Sequence, residues 1–284
     1  MKRIGILISL VFILLSGLAG AGYAWASPSE GFYAIEGDVY DDWTVCRTRS
    51  FGEDGFYQVT ATGFRPVIAF ESLGDNADIA YSLGQEIAAE YPDTVQRAEA
   101  VFYFVRDRVR YTSDIDLVGY DEFALNADEM AGIIDENGLG YGDCEDSAVL
   151  LAVMCKGAGL RSAIAVGEEH TAALIFLPDY DDATAFFELS GEMGWIWAEA
   201  TGRDNPLGWV PKEFLNTSVA AYEVTGETLA RSQEAPKPEA TVAQTDVGGG
   251  DGGGSNFSMF LPFLGVLVFL WVVPVLIRRV RRAR

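Results

Sequence analysis

The sequence is poor in histidine, cysteine and positive charge. It has 284 residues with one histidine and three cysteines, and 20 basic residues face 42 acidic ones, for a formal net charge of -22. With a single histidine and no close cysteine pair, the ligand spacing of known zinc sites is missing. So acidic a chain repels nucleic acid, which excludes a nucleic-acid-binding role. The sequence therefore predicts a protein without metal, cofactor or nucleic-acid partner.

The N-terminus carries two of the few basic residues. Lys2 and Arg3 precede the apolar run Ile4–Leu18, and Ala24–Ala26 resembles a cleavage site with small residues on either side of a larger one. Residues 1–26 are therefore predicted to be a secretory signal peptide, with an uncleaved membrane anchor as the alternative.

A second apolar segment lies close to the C-terminus. Met259–Ile277 contains no charge over 19 residues, which is enough for a helix to cross a bilayer core of roughly 30 Å. Five arginines follow at once, and the positive-inside rule places them in the cytoplasm. We predict a transmembrane helix over 257–277 and a basic cytoplasmic tail over 278–284. The protein is then a single-pass protein of the cell membrane, with the domain between the two apolar segments outside.

A segment rich in proline and glycine precedes this span. Pro236 and Pro238 lie near its start, and six glycines lie between residues 248 and 254. Such a composition buries no core, so residues 231–256 are predicted to be a flexible linker. Together with the span and the arginines, the linker also resembles C-terminal sorting tails that are cleaved. A stalk with a stop-transfer anchor is the simpler interpretation.

One cysteine lies where a reactive thiol is expected. Residues Gly142–Ser147 read Gly-Asp-Cys-Glu-Asp-Ser, and the apolar run that follows predicts a helix from Cys144 to about Lys156. Asp143 is a good N-cap and Asp146 completes a capping box, so Cys144 falls in the first helical turn. The alternative is a buried structural cysteine at a helix start, because free cysteine packs like a small apolar residue.

Opposing charges decide whether the Cys144 thiol ionises. The positive end of the helix dipole and an imidazolium from His170 favour a thiolate. The neighbouring carboxylates of Asp143, Glu145 and Asp146 oppose a further negative charge. The sequence leaves this balance open.

A base and an acid follow the cysteine along the chain. His170 is the only histidine, so the base is not open to choice, and the strand-like segment Trp195–Thr201 supplies the carboxylate of Glu199. A nucleophile, a base and an acid that orients the base are what thiol acyl transfer needs. We therefore predict Cys144, His170 and Glu199 as catalytic residues. The Cys144 sulfur should lie about 3–4.5 Å from one ring nitrogen of His170, with Glu199 at the other.

Several short motifs accompany these residues, namely Tyr141–Cys144, Gly159–Ala163, Glu169–Ala172, Trp197–Thr201 and Gly208–Pro211. Together they resemble the transglutaminase-like branch of the papain-like superfamily, over about residues 94–210. The resemblance implies Cys144 as nucleophile, His170 as general base and acid, and Glu199 as the partner of the histidine. The family more often has aspartate in this last position.

The spacing of apolar residues predicts an α+β fold. Helices are expected over Asp78–Glu90 and Thr94–Arg110. Strands are expected over Ser162–Val166, Thr171–Leu177, Phe186–Leu189 and Trp195–Ala200. The expected core is a nucleophile helix packed on an antiparallel sheet, as in the transglutaminase-like and papain-like fold. We place an N-terminal β extension at 27–93, a transglutaminase-like catalytic domain at 94–230 and a transmembrane helix near the C-terminus.

The other two cysteines, Cys46 and Cys155, form an even pair in a compartment where disulfides persist. A bridge between them and two buried thiols both remain open, because sequence does not tell whether their backbones come within range.

Three functions share the predicted catalytic residues. The first is a peptidase or amidase that hydrolyses a protein or peptide substrate. The second is a transglutaminase that transfers the same acyl group to a lysine amine. The third is an inactive member of the fold that binds peptides or serves as a scaffold for an envelope complex. The complete set of Cys144, His170 and Glu199 favours an enzyme. Prokaryotic relatives of the transglutaminase-like branch resemble proteases more than cross-linking enzymes, which favours hydrolysis.

Overall fold

The computed structural model describes residues 31–60, 63–226 and 239–244. They form a mixed α/β protein with an N-terminal sheet, a layer of helices and a closed antiparallel barrel. The strands are β1 (Phe32–Ile35), β2 (Asp38–Asp41), β3 (Cys46–Gly52), β4 (Gly55–Thr60), β5 (Gly63–Arg65), β6 (Val109–Tyr111), β7 (Gly140–Gly142), β8 (Ser162–Gly167), β9 (His170–Phe176), β10 (Phe186–Leu189), β11 (Glu192–Ala198), β12 (Ser218–Glu223) and β13 (Glu239–Gln244). The helices are α1 (Val67–Phe70), α2 (Ile79–Glu90), α3 (Thr94–Arg108), α4 (Asp114–Leu117), α5 (Ala127–Asn137) and α6 (Cys144–Gly157), and short 3-10 helices cover Gly74–Asn76 and Lys212–Phe214.

Helix α6 lies at the centre of the fold. Twelve of its 14 residues are buried, because α2, α3, α5 and the strands β8 and β9 all pack against it. Two glycines permit the contact between α2 and α6. A Cβ at Gly84 would lie 2.1 Å from the carbonyl oxygen of Met154, and a Cβ at Gly157 would lie 2.0 Å from that of Tyr81. The backbones therefore approach more closely than any larger residue allows, and the helix that begins at Cys144 is held on several sides.

The barrel brings distant parts of the chain to one end. Its strands follow the order β10, β11, β9, β8, β12, β13, and all neighbours are antiparallel. A tight hairpin joins β8 to β9, with Gly167 opposite His170. Strand β9 also pairs with β11, which sets Ala173 opposite Ala198. Because these strands are antiparallel, the start of β9 and the end of β11 meet at the same end of the barrel, where His170 and Glu199 lie.

The prediction of this sheet was right in part. The four expected strands are present, with ends shifted by up to three residues. The sheet also closes through two strands that were not predicted, β12 and β13. Strand β13 lies within residues 231–256, which were predicted to be coil throughout, so the prediction is wrong for Glu239–Gln244. The physical reason is non-local: β13 pairs with both β10 and β12 and covers two strand edges that would otherwise be open.

The predicted N-terminal β extension is present as a five-stranded sheet in the order β1 to β5. Strands β3 and β4 are parallel, and the other pairs are antiparallel. Phe56 and Tyr57 of β4 are each 1% exposed and belong to the same hydrophobic core as α6. The extension is therefore part of the core on which the nucleophile helix rests.

A buried arginine joins this sheet to the helices. Arg47 of β3 donates hydrogen bonds to the carboxylates of Asp41, Glu71 and Glu129 and to the carbonyl oxygen of Ala124. Arg47, Asp41 and Glu71 have no exposed side-chain area. Buried charges are tolerated when they are paired and hydrogen-bonded in this way. The cluster therefore couples β2, β3 and the end of α1 to the start of α5.

Cys46 and Cys155 are both buried thiols, so the alternative of a disulfide between them is not realised. Among the residues described, no helix combines the length and the apolar character that crossing a membrane requires. The predicted signal peptide at 1–26 and the predicted span at 257–277 lie outside the described residues.

Candidate active site

Cys144 is the first residue of α6, which begins one residue after the end of β7. Its neighbour Asp143 is the N-cap, and the predicted capping box is present, with the Asp143 backbone N–H donating to Asp146 Oδ2 at 3.3 Å. The end of β7 requires glycine before the cap, because a Cβ at Gly142 would lie 2.3 Å from the same carboxylate oxygen. The motif around the cysteine therefore has a local structural cause: it starts the helix and places Cys144 in its first turn.

The thiol of Cys144 is surrounded by acids. It is partly buried and donates a hydrogen bond to Glu145 Oε2 at 3.2 Å. Burial raises the pKa of Cys144, and the charges of Glu145 and Asp143 raise it further, whereas the backbone N–H of Thr171 lowers it. The balance that the sequence left open thus favours the protonated thiol in this arrangement.

His170 and Glu199 are in direct contact at the end of the barrel. The Nε2 atom of His170 meets the Oε2 atom of Glu199, as predicted for the histidine and its acid. Glu199 Oε1 accepts from the backbone N–H of Thr201 at 3.2 Å and from its hydroxyl. Burial raises the pKa of Glu199, but its hydrogen bonds with His170 and Thr201 outweigh burial and lower the pKa below its ordinary value. The acid beside the histidine is therefore held as a carboxylate.

Aromatic rings fix the plane of the imidazole. The ring of Phe214 stacks on His170 with centroids 5.6 Å apart, and Trp197 stacks at 6.3 Å. Phe214 packs against the hairpin before His170, where a Cβ at Gly167 would lie 2.3 Å from the phenyl ring. With Nε2 engaged by Glu199, Nδ1 is the ring atom left to exchange a proton with another group.

The structure brings the three predicted residues into one region, but it does not join all of them by hydrogen bonds. Thr171, the residue after His170, lies close enough to lower the pKa of the Cys144 thiol. Within the described residues, the hydrogen bond of the thiol goes to Glu145 and none connects it to the His170 ring. The close approach of sulfur and imidazole therefore stays a prediction, as do the catalytic roles.

Two residues near the thiol were missed by the sequence analysis. The hydroxyl of Tyr57 on β4 is buried without a hydrogen-bond partner, and burial, followed by the charge of Glu145, raises its pKa well above the ordinary value. Asp114 of α4 is buried, and its pKa is raised to about 7 by burial and then by Asp143. Neither lies in a motif, because only the folded chain brings β4 and α4 next to the start of α6.

The acids at the start of α6 form two groups that share Asp143. In one group, single ligand atoms of Asp143, Cys144 and Glu145 all lie within 4.8 Å of one another. In the other, the same holds for Asp114, Asp143 and Asp146. Several carboxyl groups therefore lie close together beside the nucleophile.

Comparison with known proteins places this site in a recognised fold. The model of the transglutaminase-like superfamily matches residues 81–214, a range that contains Cys144, His170 and Glu199. No curated protein matches the sequence. A crystal structure of a proposed cysteine protease from Cytophaga hutchinsonii is 14% identical, with a TM-score of 0.31, and the match covers 63% of this chain and 62% of that one. The chain thus spans less than two thirds of that protein. Residues 81–214 form a domain of the transglutaminase-like superfamily.

Proposed function

We propose that this protein is a membrane-anchored cysteine peptidase or amidase that acts outside the cytoplasm. In this proposal Cys144 is the nucleophile, His170 the general base and acid, and Glu199 the group that orients the imidazole. The contact between His170 and Glu199 carries the proposal. It engages Nε2 of the only histidine and leaves Nδ1 for the thiol, and the next residue, Thr171, lies against Cys144.

The reaction begins with a change of partner by the thiol. The Cys144 S–H turns from Glu145 to Nδ1 of His170 and transfers its proton, and the sulfur attacks the carbonyl carbon of the amide. The backbone N–H of Cys144, at the free end of α6, donates to the oxygen that becomes negative. Glu199 stabilises the imidazolium that forms.

Collapse of the tetrahedral intermediate breaks the carbon–nitrogen bond. The imidazolium of His170 gives its proton to the departing amine, and a thioester with Cys144 remains. The imidazole then takes a proton from water, the hydroxide attacks the thioester, and the thiol recovers its proton as the carboxylic acid leaves. Each proton taken by His170 is returned within one cycle.

Exposed aromatic residues near the thiol support a peptide as substrate. Tyr111 is 62% exposed and Tyr141 is 48% exposed, and β6 and β7, which carry them, pair so that Tyr111 lies opposite Gly142. Gly142 precedes the N-cap of the nucleophile helix by one residue. Apolar side chains of a bound peptide would cover these rings next to the thiol.

The experiment is a reaction of the purified full-length protein, in detergent, with a mixed peptide library, with and without an added primary amine. Mass spectrometry should detect hydrolysed amide bonds with the parent protein and with Cys155→Ala, a matched change of a buried cysteine, and none with Cys144→Ala. Amine incorporation in place of hydrolysis would identify a transferase. No reaction at all, or full activity of Cys144→Ala, would overturn the proposed chemistry.

A further inference from the structure

Strand β1 is an exposed edge of the N-terminal sheet. Among the residues described, it pairs only with β2, so no strand lies along its other side. All four of its residues are exposed, and three of them are the large apolar residues Phe32, Tyr33 and Ile35. Proteins usually protect such an edge with charge, proline or a covering segment, because it is a template for another strand. Strand β1 contains neither charge nor proline, so its edge is suited to pairing with another chain.

The register of the β1–β2 hairpin shows which backbone groups face the open side. The turn residues 36 and 37 both have positive φ, and they place Ile35 opposite Asp38. In a hairpin with a two-residue turn, the pair next to the turn exchanges hydrogen bonds, and bonded and non-bonded pairs then alternate. Ala34 and Phe32 fall in the non-bonded pairs, so their N–H and C=O groups point away from β2.

Two hydrogen bonds of β2 agree with this alternation. Val39, opposite Ala34, donates its backbone N–H to Thr48 Oγ1 on β3 at 3.0 Å. Asp41, opposite Phe32, donates its backbone N–H to the carbonyl oxygen just before β3 at 3.1 Å. Neither N–H group is directed at β1, so two residues of β1 present both a donor and an acceptor to an added strand.

A short series of contacts connects this edge to the nucleophile. The ring of Phe32 lies 5.7 Å from the ring of Phe123, whose backbone N–H donates to Asp114. Carboxylate oxygens of Asp114 and Asp143 lie within 4.8 Å of each other, and the Cys144 sulfur lies within the same distance of Asp143. A chain that pairs with β1 is therefore close to the surroundings of the thiol.

Exposed apolar side chains cover the segment between these two places. The ring of Tyr120 stacks on Phe123 with centroids 6.1 Å apart, and Phe123 in turn contacts Phe32. The exposed members of this segment are Ile115, Leu117, Val118 and Tyr120. Exposed apolar side chains that lie together mark a surface that binds another molecule.

The charge of this surface selects the kind of partner. Residues 31–42 and 111–123, which carry the edge and the apolar side chains, contain four acids each and no lysine, arginine or histidine. Glu36, Asp116 and Asp121 are exposed among them. Such a surface attracts a basic polypeptide and repels anionic lipid headgroups.

We propose that β1 is an exosite, a substrate-binding site away from the thiol, which binds an extended basic polypeptide as an added strand. The backbone of the substrate pairs with Phe32 and Ala34, and its apolar side chains cover the exposed residues of 115–120. Its lysine and arginine side chains approach the exposed acids. This assignment rests on the proposed function and names its substrate class, namely unfolded basic chains long enough to pair with β1 while one amide lies at Cys144.

Binding is tested apart from catalysis with full-length Cys144→Ala protein in phosphatidylcholine nanodiscs. The probe is a fluorescein-labelled twelve-residue peptide that alternates lysine or threonine with valine or phenylalanine, and fluorescence anisotropy measures its affinity. Ala34→Pro, introduced into this protein, removes an outward N–H and leaves the bonds to β2 intact. It should weaken binding at least about tenfold. Ala34→Val keeps the N–H and is the matched control, which should bind as tightly as the protein without it.

Altered peptides test the added strand without changing the protein. N-methylation of alternate backbone nitrogens removes the donors that face β1 and should abolish binding, and glutamate in place of lysine should weaken binding at least about tenfold. Circular dichroism checks the fold of Ala34→Pro, and if that variant is unfolded the N-methylated peptide decides.

Several results would overturn the exosite. They are no binding of the basic peptide, equal affinity of folded Ala34→Pro and Ala34→Val, and undiminished binding of the N-methylated or the glutamate peptide. Displacement of the peptide by phosphatidylcholine vesicles would assign the surface to lipid instead. A dimer that Ala34→Pro dissolves, in a protein that binds no peptide, would assign the edge to a second copy of the chain.

Cleavage by the protein with Cys144 intact separates the exosite from the proposed function. Ala34→Pro should raise KM for the twelve-residue peptide about tenfold and leave kcat unchanged. A dipeptide amide has no residues left to pair with β1, so Ala34→Pro and Ala34→Val should cleave it alike. Peptide binding without any cleavage would support the exosite and contradict the proposed function. Cleavage that depends on Cys144, with no effect of Ala34→Pro on KM, would do the reverse.

Discussion

Two buried glutamates flank the proposed catalytic pair, and their pKa values are shifted in opposite directions. Glu199 is 3% exposed and Glu145 is 5% exposed, so burial acts on both. Glu199 has His170 and Thr201 as partners, and its pKa is lowered. Burial, and then a hydrogen bond with Asp143, raise the pKa of Glu145 well above its usual range. For Glu199 the partners outweigh burial, whereas for Glu145 burial and Asp143 shift the pKa in the same direction.

This difference separates the preorganised pair of His170 and Glu199 from the pair of Cys144 and Glu145, which must rearrange before reaction. Glu199 and the rings of Phe214 and Trp197 hold His170 in a defined orientation before any substrate arrives. Cys144 instead donates its hydrogen bond to Glu145. The base is therefore preorganised, whereas the nucleophile must change its partner before it reacts.

The largest effect on activity is expected from a change at the preorganised pair of His170 and Glu199. Glu199→Gln keeps the size of the side chain but removes the charge that stabilises an imidazolium, so the turnover rate should fall by about 10³- to 10⁴-fold. Glu213→Gln, an exposed residue on the 3-10 helix next to the site, is the control and should keep the parent rate. Rates are measured with a peptide from the library. If Glu199→Gln turns over like Glu213→Gln, the acid does not assist the histidine.

The acids around Arg47 extend the comparison of the two glutamates, because this cluster contains its own cation. Asp41, Glu71 and Glu129 surround Arg47, so Arg47→Met should lower the free energy of unfolding by about 3–5 kcal/mol by leaving buried acids without a counter-charge. Arg49→Met breaks two partly exposed ion pairs and should cost about 1 kcal/mol or less. Urea unfolding of both variants measures the difference. Similar losses would show that the Arg47 cluster contributes no more than a surface pair.

The local parts of this site were predictable from sequence, and the contacts between distant segments were not. The helix that begins at Cys144, with its capping box, depends on residues within a few positions of one another, and it was predicted to within one residue at its end. The pairing of His170 with Glu199 was also predicted, because the family resemblance implied it. Each of these had a short sequence pattern.

The remaining features depend on contacts that no short pattern records. Strand β13 is defined by its pairing with β10 and β12, and Phe214 reaches His170 from a segment that no motif marked. Tyr57 and Asp114 come to the nucleophile from other parts of the chain. The protonation of Cys144 was undecidable for the same reason, since it depends on burial and on the distance to each acid.

The pair of Cys144 and Glu145 is tested by the rate at which the thiol is alkylated. Because the pKa of Cys144 is raised, its alkylation by iodoacetamide should be slow at pH 7 and should speed up as pH rises past the ordinary thiol range. Glu145→Gln removes one of the charges that raise this pKa and should increase the rate at pH 7 by about tenfold, which corresponds to about one unit of pKa. Cys46 and Cys155 are buried and should stay unlabelled until the protein unfolds.

Peptide mapping of the labelled protein, with Glu213→Gln as the variant control, measures this rate. Rapid labelling of the parent at pH 7, or no difference between Glu145→Gln and Glu213→Gln, would show that the acids do not hold the thiol in its protonated form. Equal labelling of all three cysteines in the folded protein would contradict their different burial.

The smallest effect concerns the pH dependence of stability at Asp114. Burial, and then Asp143, raises its pKa from 3.8 to about 7. The folded protein therefore holds this proton more tightly than the unfolded chain does. The stability that results is fully present below about pH 4 and is lost as pH rises towards 7.

Asp114→Asn tests this assignment, since the amide cannot ionise and still accepts from the backbone N–H of Phe123. The melting temperature should fall less between pH 5 and pH 8 for this variant than for the parent. Asp116→Asn, an exposed change two residues away, should follow the parent. Parallel losses in all three proteins would mean that Asp114 is ionised throughout this range. Asp114 would then hold no proton in the folded protein at these pH values. Of the buried acids near the start of α6, only Glu145 would then contrast with Glu199 in its pKa.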